Sequence, residues 1–475
     1  MASGSSLTLT TSGSLTEGEK LSFHWTTDAT DAKNWVGIYD GTRQPGTGSS
    51  LLWQYTPGAS GDLTLDTSAL TGGPYTAYLL AKDGYGILAQ SAPFSFQPKP
   101  AVVPPHSAVD ALTSTEIAPG GAVSVKLGGL WSRPAGNPAG SATFRRVGAS
   151  SWLNVAADGT VTGTAPASPL SRPAQVTVGV KDSTGATDTI TVQVPVVDPK
   201  SKDKHTVKVA SWNLWDAGTH STDGLEKQLR VILTEGLDVL ALQETAGTNA
   251  QHLADALGWY AYQSPGSVGI LSRYPLTDVT PVTAALPAAG ATVQLPGGRS
   301  VRVWAAHLDE NSYGPYAFQD GQSAAQVTAT ETASVRYQQT QALLTAMKAD
   351  LAGKVPVILA AELSSPSHLD WTVAARGTQL NWPVTEAVQA AGLTDAFRED
   401  HPDPAKIPGN TWSPIRKVRA GKAEPQDRID YVQYSGRLAL VEAHTLATGW
   451  PAADPNAAAN GWPSDTAAAV ATFTL

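Results

Sequence analysis

The chain has 475 residues, of which 41% are hydrophobic and 15% are charged, and its formal net charge is −9. This acidic balance argues against sequence-independent nucleic-acid binding, which needs a cationic face, and the lack of cysteine excludes disulfides, cysteine-ligated metals and thiol catalysis. The sequence has no apolar run of the roughly 18–20 residues that a membrane span needs, and its length predicts about three domains.

The first predicted domain, residues 1–98, consists of short strands. Leu21, Phe23 and Trp25 alternate with polar residues, which is the period of a strand. The strand Trp35-Val36-Gly37-Ile38-Tyr39 follows, and glycine, proline and aspartate turns separate these segments from the next ones. This spacing favours a β-sandwich.

The second predicted domain, residues 106–198, is separated from the first by a proline-rich linker and repeats the strand pattern. The stretch from Trp152 to Thr164 and the turn Asp182-Ser183-Thr184-Gly185-Ala186 resemble an immunoglobulin-like module that is common in bacterial surface and secreted proteins. The resemblance implies a second β-sandwich and no activity. We interpret both front domains as spacers or binding modules.

Residues 205–475 form the third predicted domain, in which strands and helices are interleaved. The predicted strands are 207–214, 239–242, 300–308, 355–361, 428–433 and 467–475, and the predicted helices are 222–233, 250–257 and 326–351. An order of this kind predicts an α+β or layered α/β enzyme.

Polar side chains stand next to several of these apolar strands. Asn213, Glu244, His307 and Glu362 each come at or just after the end of a strand, and Asp465 precedes the last one. Functional groups of layered sheets commonly lie at strand ends, so we expect these five side chains to meet in one site.

The motifs at these positions resemble those of the endonuclease/exonuclease/phosphatase superfamily, which includes DNase I, neutral sphingomyelinases and inositol-polyphosphate phosphatases. Asn213, Leu242-Gln243-Glu244, His307-Leu308 and Arg428-Ile429-Asp430-Tyr431 occur in the order of the family's motifs. The resemblance implies an α/β four-layer sandwich of the DNase I-like type. The whole chain is then a multidomain protein in which two β-sandwich, immunoglobulin-like domains precede this domain.

Two motifs depart from the family pattern. Ala361-Glu362-Leu363-Ser364 stands where the family has Gly-Asp-Phe-Asn, and Ser464-Asp465-Thr466 stands where it has Ser-Asp-His. A threonine hydroxyl does not titrate near pH 7, so a general acid–base contribution of roughly 10²–10⁴ is lost unless another group supplies it. Either His220 or His368 fills this role, or both are ordinary surface histidines.

The resemblance also implies a divalent cation, Mg²⁺ or else Mn²⁺ or Ca²⁺, bound by Glu244, Asn213 and Asp465. The alternative is that Glu244 and Asp465 are ordinary strand-end carboxylates. The predicted catalytic residues are His307, Glu362, Asp430 and Asp465, and the predicted substrate-binding residues are Asn213, Ser364, Thr466 and Arg336. For Arg336 the alternative is a solvated helix residue, and for the segment Tyr313 to Tyr316 the alternatives are a substrate-shaping loop and a plain turn.

The resemblance implies a divalent-metal-dependent phosphoester hydrolase with a remodelled active site, which we expect to be secreted. The acidic composition favours a small or lipid-like phosphoester over DNA. Two alternatives stay open, namely a pseudoenzyme or anion-binding module on the same fold, and an enzyme whose chemistry has moved away from phosphoester hydrolysis. The sequence alone determines neither the substrate nor the oligomeric state.

Overall fold

The computed structural model describes residues 4–11, 14–41, 43–99, 102–198 and 205–474. The chain forms two compact units, residues 1–102 and residues 103–475. The second and third predicted domains therefore belong to one compact unit, and the division into three domains stays a prediction. Residues 199–204, which join the second and third predicted domains, lie outside the described residues.

The first unit is rich in strands. They are β1 (Ser6–Leu9), β2 (Leu21–Thr26), β3 (Trp35–Asp40), β4 (Leu52–Tyr55), β5 (Ser60–Leu65), β6 (Tyr75–Ala81) and β7 (Gly86–Gln90). They form a three-stranded sheet, β1-β2-β5, and a four-stranded sheet, β4-β3-β6-β7. The two sheets share one core, in which Leu21 and Phe23 of one sheet pack with Val36 and Ile38 of the other.

Residues 103–198 are also built from strands. They are β8 (His106–Ser107), β9 (Ala111–Thr113), β10 (Ala122–Lys126), β11 (Trp131–Ser132), β12 (Ala142–Ala149), β13 (Leu153–Val155), β14 (Thr160–Thr164), β15 (Ala174–Asp182) and β16 (Thr187–Val194). The main sheet has the order β12-β15-β16-β9, and a second sheet has the order β10-β14-β13.

Residues 205–474 contain strands and helices in alternation. The strands are β17 (Thr206–Asn213), β18 (Val239–Gln243), β19 (Tyr260–Gln263), β20 (Gly269–Ser272), β21 (Leu276–Thr280), β22 (Ala288–Leu295), β23 (Arg299–His307), β24 (Val357–Glu362), β25 (Thr394–Asp395), β26 (Val418–Arg419), β27 (Lys422–Ala423), β28 (Asp430–Ser435), β29 (Ala439–Leu446) and β30 (Ala468–Thr474). The helices are α1 (Gly224–Thr234), α2 (Asn249–Leu257), α3 (Gly314–Gln319), α4 (Ala324–Thr332), α5 (Val335–Leu351), α6 (Val373–Arg376), α7 (Pro383–Ala390) and α8 (Ala396–Asp400). Short 3₁₀ turns lie at Gly128–Leu130, Asp216–Gly218, Pro296–Gly298 and Ala457–Ala459.

The prediction of one long helix over residues 326–351 is wrong, because the chain forms α4 and α5 instead. Ser334 lies between them with an extended backbone, and its side chain accepts a hydrogen bond from the Tyr337 N–H. A serine in this position starts a new helix.

Two six-stranded sheets pack face to face in this part of the chain. Their orders are β19-β20-β18-β17-β30-β29 and β21-β22-β23-β24-β28-β25. Val209 and Ala241 of the first sheet meet Val303 and Ile358 of the second in a shared core. On the outer faces, α1 and α2 cover the first sheet, and α5 and α7 cover the second. The predicted four-layer α/β sandwich is therefore confirmed.

The strand register places the polar strand ends side by side. In the second sheet His307 pairs with Glu362, and Glu362 pairs with Asp430, so these three residues form a row across β23, β24 and β28. In the first sheet Asn213 pairs with Gln243, directly before Glu244. Paired residues on adjacent strands point to the same side of a sheet.

Residues 103–198 pack against the helices that cover the first sheet. Leu127 and Leu130 belong to the same hydrophobic cluster as Leu253 and Leu257 of α2. A Cβ at Gly129 would lie only 2.4 Å from Ala256 Cα, so glycine permits this close approach. Within the described residues, none of the helices combines the length and apolarity required to cross a bilayer.

Candidate active site

Asn213 connects the two sheets at the site. Its Nδ2 donates one hydrogen bond to Glu244 Oε1 at 2.8 Å and another to Glu362 Oε2 at 2.7 Å. Its Oδ1 accepts the Trp215 N–H at 2.8 Å. The amide therefore holds two carboxylates in fixed positions, and its role as a metal ligand stays a prediction.

Glu244 is held from both sides. Its Oε2 accepts the Asp216 N–H at 2.9 Å, while Oε1 accepts from Asn213. Its backbone has a φ of 53°, in the left-handed region that non-glycine residues rarely adopt. Strained backbone of this kind is concentrated at functional sites, which supports a functional role for this carboxylate.

His307 is oriented by a serine that the motifs did not indicate. Ser267 Oγ lies 2.6 Å from His307 Nδ1 and accepts the Glu244 N–H at 3.0 Å. This contact fixes the imidazole ring and leaves Nε2 directed toward the carboxylates of the site. Nε2 faces Glu362 Oε2 at 3.7 Å.

Glu362 and Asp430 are buried next to each other. Burial raises the pKa of Glu362, with a further increase from Glu244, although His307 and Asn213 oppose it. Burial also raises the pKa of Asp430 well above its ordinary value, and the charges of Glu362 and Asp465 add to this effect. Neither carboxyl oxygen of Asp430 has a hydrogen-bond partner among the described residues.

Asp465 completes a group of four acids. Burial, and after it the charge of Glu244, raise the pKa of this carboxyl to about 7, and Arg416 opposes the shift. The Arg416 Nη2 atom lies 3.5 Å from Asp465 Oδ2. We refer to Glu244, Glu362, Asp430 and Asp465 as the acidic cluster. It contains more negative charge than His307 and Arg416 can balance.

Thr466 occupies the position of the family histidine and is fully buried. Its hydroxyl donates to Asp465 Oδ1 at 3.3 Å, and its N–H donates to Ser464 Oγ at 3.1 Å. The position therefore supplies no titrating group, and the Thr466 hydroxyl is already used within the protein.

Ser364 follows β24 with a φ of 50°, and its hydroxyl donates to the Leu308 carbonyl at 3.0 Å. Asparagine tolerates this left-handed backbone better than serine does. The structure thus retains the backbone conformation that suits the family's asparagine, although the side chain is shorter. Ser364 lines a pocket beside Glu362 and remains a candidate for substrate contact.

This pocket has a volume of about 280 Å³, and three of its eight lining residues are aromatic. Tyr313, Tyr316 and Trp412 line it together with Glu362 and Ser364. The Tyr316 hydroxyl and the Trp412 Nε1 both donate to Glu424, at 2.6 and 2.8 Å, which fixes the two rings. The segment from Tyr313 to Tyr316 therefore shapes the pocket.

The prediction that Arg336 contacts substrate is not supported by its position. Arg336 is completely buried, and its five N–H donors go to Glu331 and to the carbonyls of Asp309, Asn311 and Ser312. A guanidinium with these contacts fixes the loop after β23. The alternative of a solvated helix residue is also wrong.

Neither histidine proposed as a substitute reaches Thr466. His220 is exposed and stacks on Trp215, with ring centroids 4.6 Å apart. His368 bonds to Thr385 and Gln389 and lines a different pocket of about 510 Å³. The structure thus provides no replacement for the family histidine from these two residues.

The acidic cluster suits a hard divalent cation that keeps part of its water. Within the residues that the structure describes, no three His, Asp or Glu side chains form a group that could hold a metal ion by themselves. Mg²⁺, however, is often bound by only one or two carboxylates together with water and substrate phosphate. Glu244 and Asp465 provide two such carboxylates, and their mutual repulsion favours a cation nearby.

Three residues of the site were missed because their signals are not local. Ser267 lies in a Ser-Pro-Gly-Ser loop, Trp412 in an irregular segment, and Arg416 beyond it. The one available signal is the position of Ser267 just before the apolar strand β20, where the other strands also carry their polar residues.

Comparisons with known proteins agree with this geometry. Residues 210–465, more than half of the chain, match the model of the Endonuclease/Exonuclease/phosphatase family. Uncharacterized protein F14F9.5 of Caenorhabditis elegans is 31% identical over 289 residues, covering 57% of this chain and 91% of that protein.

Two solved structures are similar at lower levels. One is an endonuclease/exonuclease/phosphatase of Beutenbergia cavernae, with 18% identity, a TM-score of 0.37 and coverage of 57% of this chain and 72% of that chain. The other is a mannosyl-6-phosphatase of Bacteroides thetaiotaomicron, with 14% identity, a TM-score of 0.40 and coverage of 57% and 100%. Similarity at this level adds nothing to the functional assignment.

The matched residues include Asn213, Glu244, His307, Glu362 and Asp465, which the structure brings to one site. The family model and the shared site lead to the same conclusion. The chain belongs to the endonuclease/exonuclease/phosphatase family.

Proposed function

We propose that this protein is a secreted, divalent-metal-dependent hydrolase of a small or lipid-like phosphoester, with a remodelled active site. The single observation that supports this most is the Asn213 amide, which joins Glu244 and Glu362 beside His307. Three groups suited to a cation, a water molecule and a phosphoryl oxygen are thereby brought to the ends of two packed sheets. We also propose that the two strand-rich parts before this domain are immunoglobulin-like.

Glu244 and Asp465 would hold Mg²⁺ or Mn²⁺, with water and a phosphate oxygen as the remaining ligands. Such a cation polarises the phosphoryl group and neutralises the charge that develops during hydrolysis. The raised pKa of Asp465 fits this role, because burial and the charge of Glu244 disfavour the ionised carboxylate and a bound cation would offset both effects.

His307 and Glu362 would act directly on the substrate. With Nδ1 bonded to Ser267, His307 would present an N–H at Nε2, which is able to donate to a phosphoryl oxygen. Glu362 borders the pocket, and its raised pKa makes it a better proton acceptor than an ordinary carboxylate. It would orient the attacking water. Glutamate is one methylene longer than the family's aspartate, and a misplacement of about 1 Å can cost roughly a hundredfold in rate.

The leaving group receives no proton from position 466, because Thr466 is buried and does not titrate. Hydrolysis without a general acid depends strongly on how well the leaving group carries negative charge. We therefore expect faster turnover of aryl than of alkyl phosphoesters. The aromatic walls formed by Tyr313, Tyr316 and Trp412 suit a flat or apolar leaving group.

The second candidate is a pseudoenzyme that binds an anion without turnover, and the buried Thr466 favours it. The negative charge of the acidic cluster repels anions, so under this alternative an anion would bind only after a cation has bound. Calorimetry with inorganic phosphate, with and without Mn²⁺, measures this dependence. Phosphate binding that requires Mn²⁺ but gives no product from any ester would favour the pseudoenzyme.

Turnover of bis-p-nitrophenyl phosphate and p-nitrophenyl phosphate in Mg²⁺ or Mn²⁺ tests the leading proposal. We expect activity that Glu244→Gln lowers by about a hundredfold or more, because the amide lacks the charge that holds the cation. Glu442→Gln, at an exposed position on β29, is the matched control and should leave the rate unchanged. Absence of metal-stimulated release from both compounds contradicts the proposal.

The third candidate is an enzyme whose chemistry has moved away from phosphoester hydrolysis. A variant that restores two residues of the family motifs tests it against the leading proposal. The double variant Thr466→His with Glu362→Asp would place a histidine near Asp430. The carboxyl oxygens of Asp430 have no hydrogen-bond partner among the described residues. A gain of phosphodiesterase activity in this double variant from an inactive parent would indicate an active site that has either decayed or been redirected away from phosphoester hydrolysis. An unchanged or lower rate from an active parent supports the leading proposal.

A further inference from the structure

One face of the four-stranded sheet in the first unit carries a row of aromatic rings. The register pairs Trp35 with Tyr55 and Gly37 with Trp53, which places these side chains on the same face of β3 and β4. Tyr85, in the turn after β6, approaches the Trp35 ring edge-on at 6.2 Å. The opposite face of β3 carries Val36 and Ile38, which form the core, so the aromatic row is not part of that core.

The outer rings of this row are unusually accessible for aromatic side chains. Trp53 is 55% exposed, Tyr85 is 53% exposed and Tyr55 is 43% exposed. Monomeric proteins rarely leave grouped aromatic surface in water unless it binds something. The three rings border a cleft of about 340 Å³, within the range of roughly 300–1,000 Å³ that is typical of small-molecule sites.

Packing between the rings fixes the shape of this cleft. Trp53 meets Trp35 at 6.2 Å and Tyr55 at 5.1 Å, both nearly perpendicular. Trp35 itself is held by a hydrogen bond from its Nε1 to the Gly84 carbonyl at 3.1 Å. A Cβ at Gly37 would lie 2.6 Å from the Trp35 ring, so glycine allows the indole to lie across the strand. The rings are therefore ordered before any ligand arrives, which lowers the entropic cost of binding.

Polar groups surround the rings, and their charges cancel. Asp83 accepts the Tyr55 hydroxyl at 2.6 Å and the Lys33 ammonium at 2.6 Å. Ser49 and Ser50 contribute hydroxyl-bearing side chains to the same lining. The cleft thus combines flat apolar surfaces with hydrogen-bonding groups and has no excess charge to select an ionic ligand.

We propose that this cleft binds a neutral carbohydrate. A sugar ring has one face of C–H groups, which packs on an aromatic ring, and an edge of hydroxyls, which bond to carboxylate and hydroxyl groups. Trp53 and Tyr85 provide the packing surfaces, and Asp83 with the serines provides the hydrogen-bond partners. A proline-rich peptide also packs on aromatic rings, but it needs few acceptors for hydroxyl groups. The paired Asp83 and the two serines therefore favour the sugar.

Depletion of the intact protein from solution by microcrystalline cellulose, chitin and insoluble xylan tests this proposal. We expect retention on at least one of the three, and a weakening of about tenfold or more in Trp53→Ala and in Tyr85→Ala. Trp450→Ala is the matched control, because Trp450 is fully exposed and lies in the second unit. Thermal unfolding of each variant verifies that the first unit remains folded, as expected for exposed side chains.

Several outcomes would overturn the inference. Retention on none of the three polysaccharides, or equal retention of Trp53→Ala and the intact protein, excludes a carbohydrate site in this cleft. Stronger retention on anionic alginate than on the neutral matrices contradicts a neutral ligand. Binding of a decaproline peptide that is lost in Trp53→Ala, without polysaccharide binding, would assign the cleft to proline-rich segments instead.

Discussion

The part of the chain with the family fold, residues 205–474, contains two buried groups of charged side chains. The two groups differ in how their charges are balanced. Arg428 and Asp430 lie two residues apart but belong to different groups. Arg428 lies within 3.1 Å of both Asp370 and Asp395, and Arg398 also pairs with Asp370. Two arginines and two aspartates make this group neutral, and we call it the paired cluster.

The acidic cluster has no such balance. Asp430 has neither a salt bridge nor a hydrogen-bond partner for its carboxyl oxygens among the described residues, and burial raises the pKa values of Glu362, Asp430 and Asp465. Buried charges that stabilise a fold are paired, whereas shifted carboxyls in a cleft indicate a functional site. We therefore interpret the paired cluster as structural and the acidic cluster as the site that the proposed cation would occupy.

The largest expected effect comes from breaking the paired cluster. Arg428→Met leaves two buried carboxylates unpaired, and we expect a loss of about 3–5 kcal/mol in the free energy of unfolding. Arg416→Met is the matched control at the acidic cluster. Arg416 is partly exposed and contacts Asp465 only at 3.5 Å, so its loss should cost less than about 1 kcal/mol. Urea denaturation measures both, and equal losses would contradict the distinction between the clusters.

Neutralising one aspartate in each cluster should change the free energy of unfolding in opposite directions. Asp430→Asn removes a buried acid whose ionised form is disfavoured by burial and by its neighbours, and we expect it to stabilise the metal-free protein by roughly 1 kcal/mol at pH 8. Asp370→Asn removes a partner of two arginines and should destabilise by roughly 3 kcal/mol. Thermal unfolding with chelator present compares the two. A similar loss in both variants would show that Asp430 is also a structural residue.

We expect a smaller effect of pH on the stability of the folded protein. The pKa of Asp465 is about 7 in the folded protein and 3.8 is its ordinary value. Between these values the folded state retains a proton that the unfolded state has lost, so this group lowers stability as the pH rises from about 4 to about 7. Asp465→Asn lacks this titration.

The stability of Asp465→Asn relative to the intact protein should therefore increase across the same pH interval, measured in the absence of metal. Added Mg²⁺ should reduce the difference, because a bound cation favours the ionised carboxylate. A difference that stays constant from pH 4 to pH 8 would mean that the pKa of Asp465 is not raised.

Much of the site followed from local sequence features. An apolar strand and the Leu242-Gln243-Glu244 motif predicted that Glu244 follows the end of its strand, and the strands before His307 and Glu362 did the same for these two residues. These positions were predictable because a strand of alternating or continuous apolar residues determines where its end lies, whereas the roles of the residues stay predictions. The contacts between strands then follow from the packing of the two sheets.

The rest depended on tertiary packing. Arg336 is on a helix with mostly polar residues, and only the folded loop after β23 shows that its donors are used within the protein. Ser267 and Trp412 enter the site from loops whose paths no periodicity predicts. The break between α4 and α5 was missed because Ser334 resembles a tolerated helix residue until its capping hydrogen bond is seen.

The location of Mn²⁺ tests the central claim, that the acidic cluster is a cation site. Crystals grown with Mn²⁺ and inorganic phosphate should show anomalous scattering between Glu244 and Asp465, with phosphate near His307 Nε2, and Glu244→Gln should lose that signal. The paired cluster should show none. Anomalous density elsewhere on the protein together with an empty acidic cluster, at a Mn²⁺ concentration that saturates binding in solution, would contradict the account.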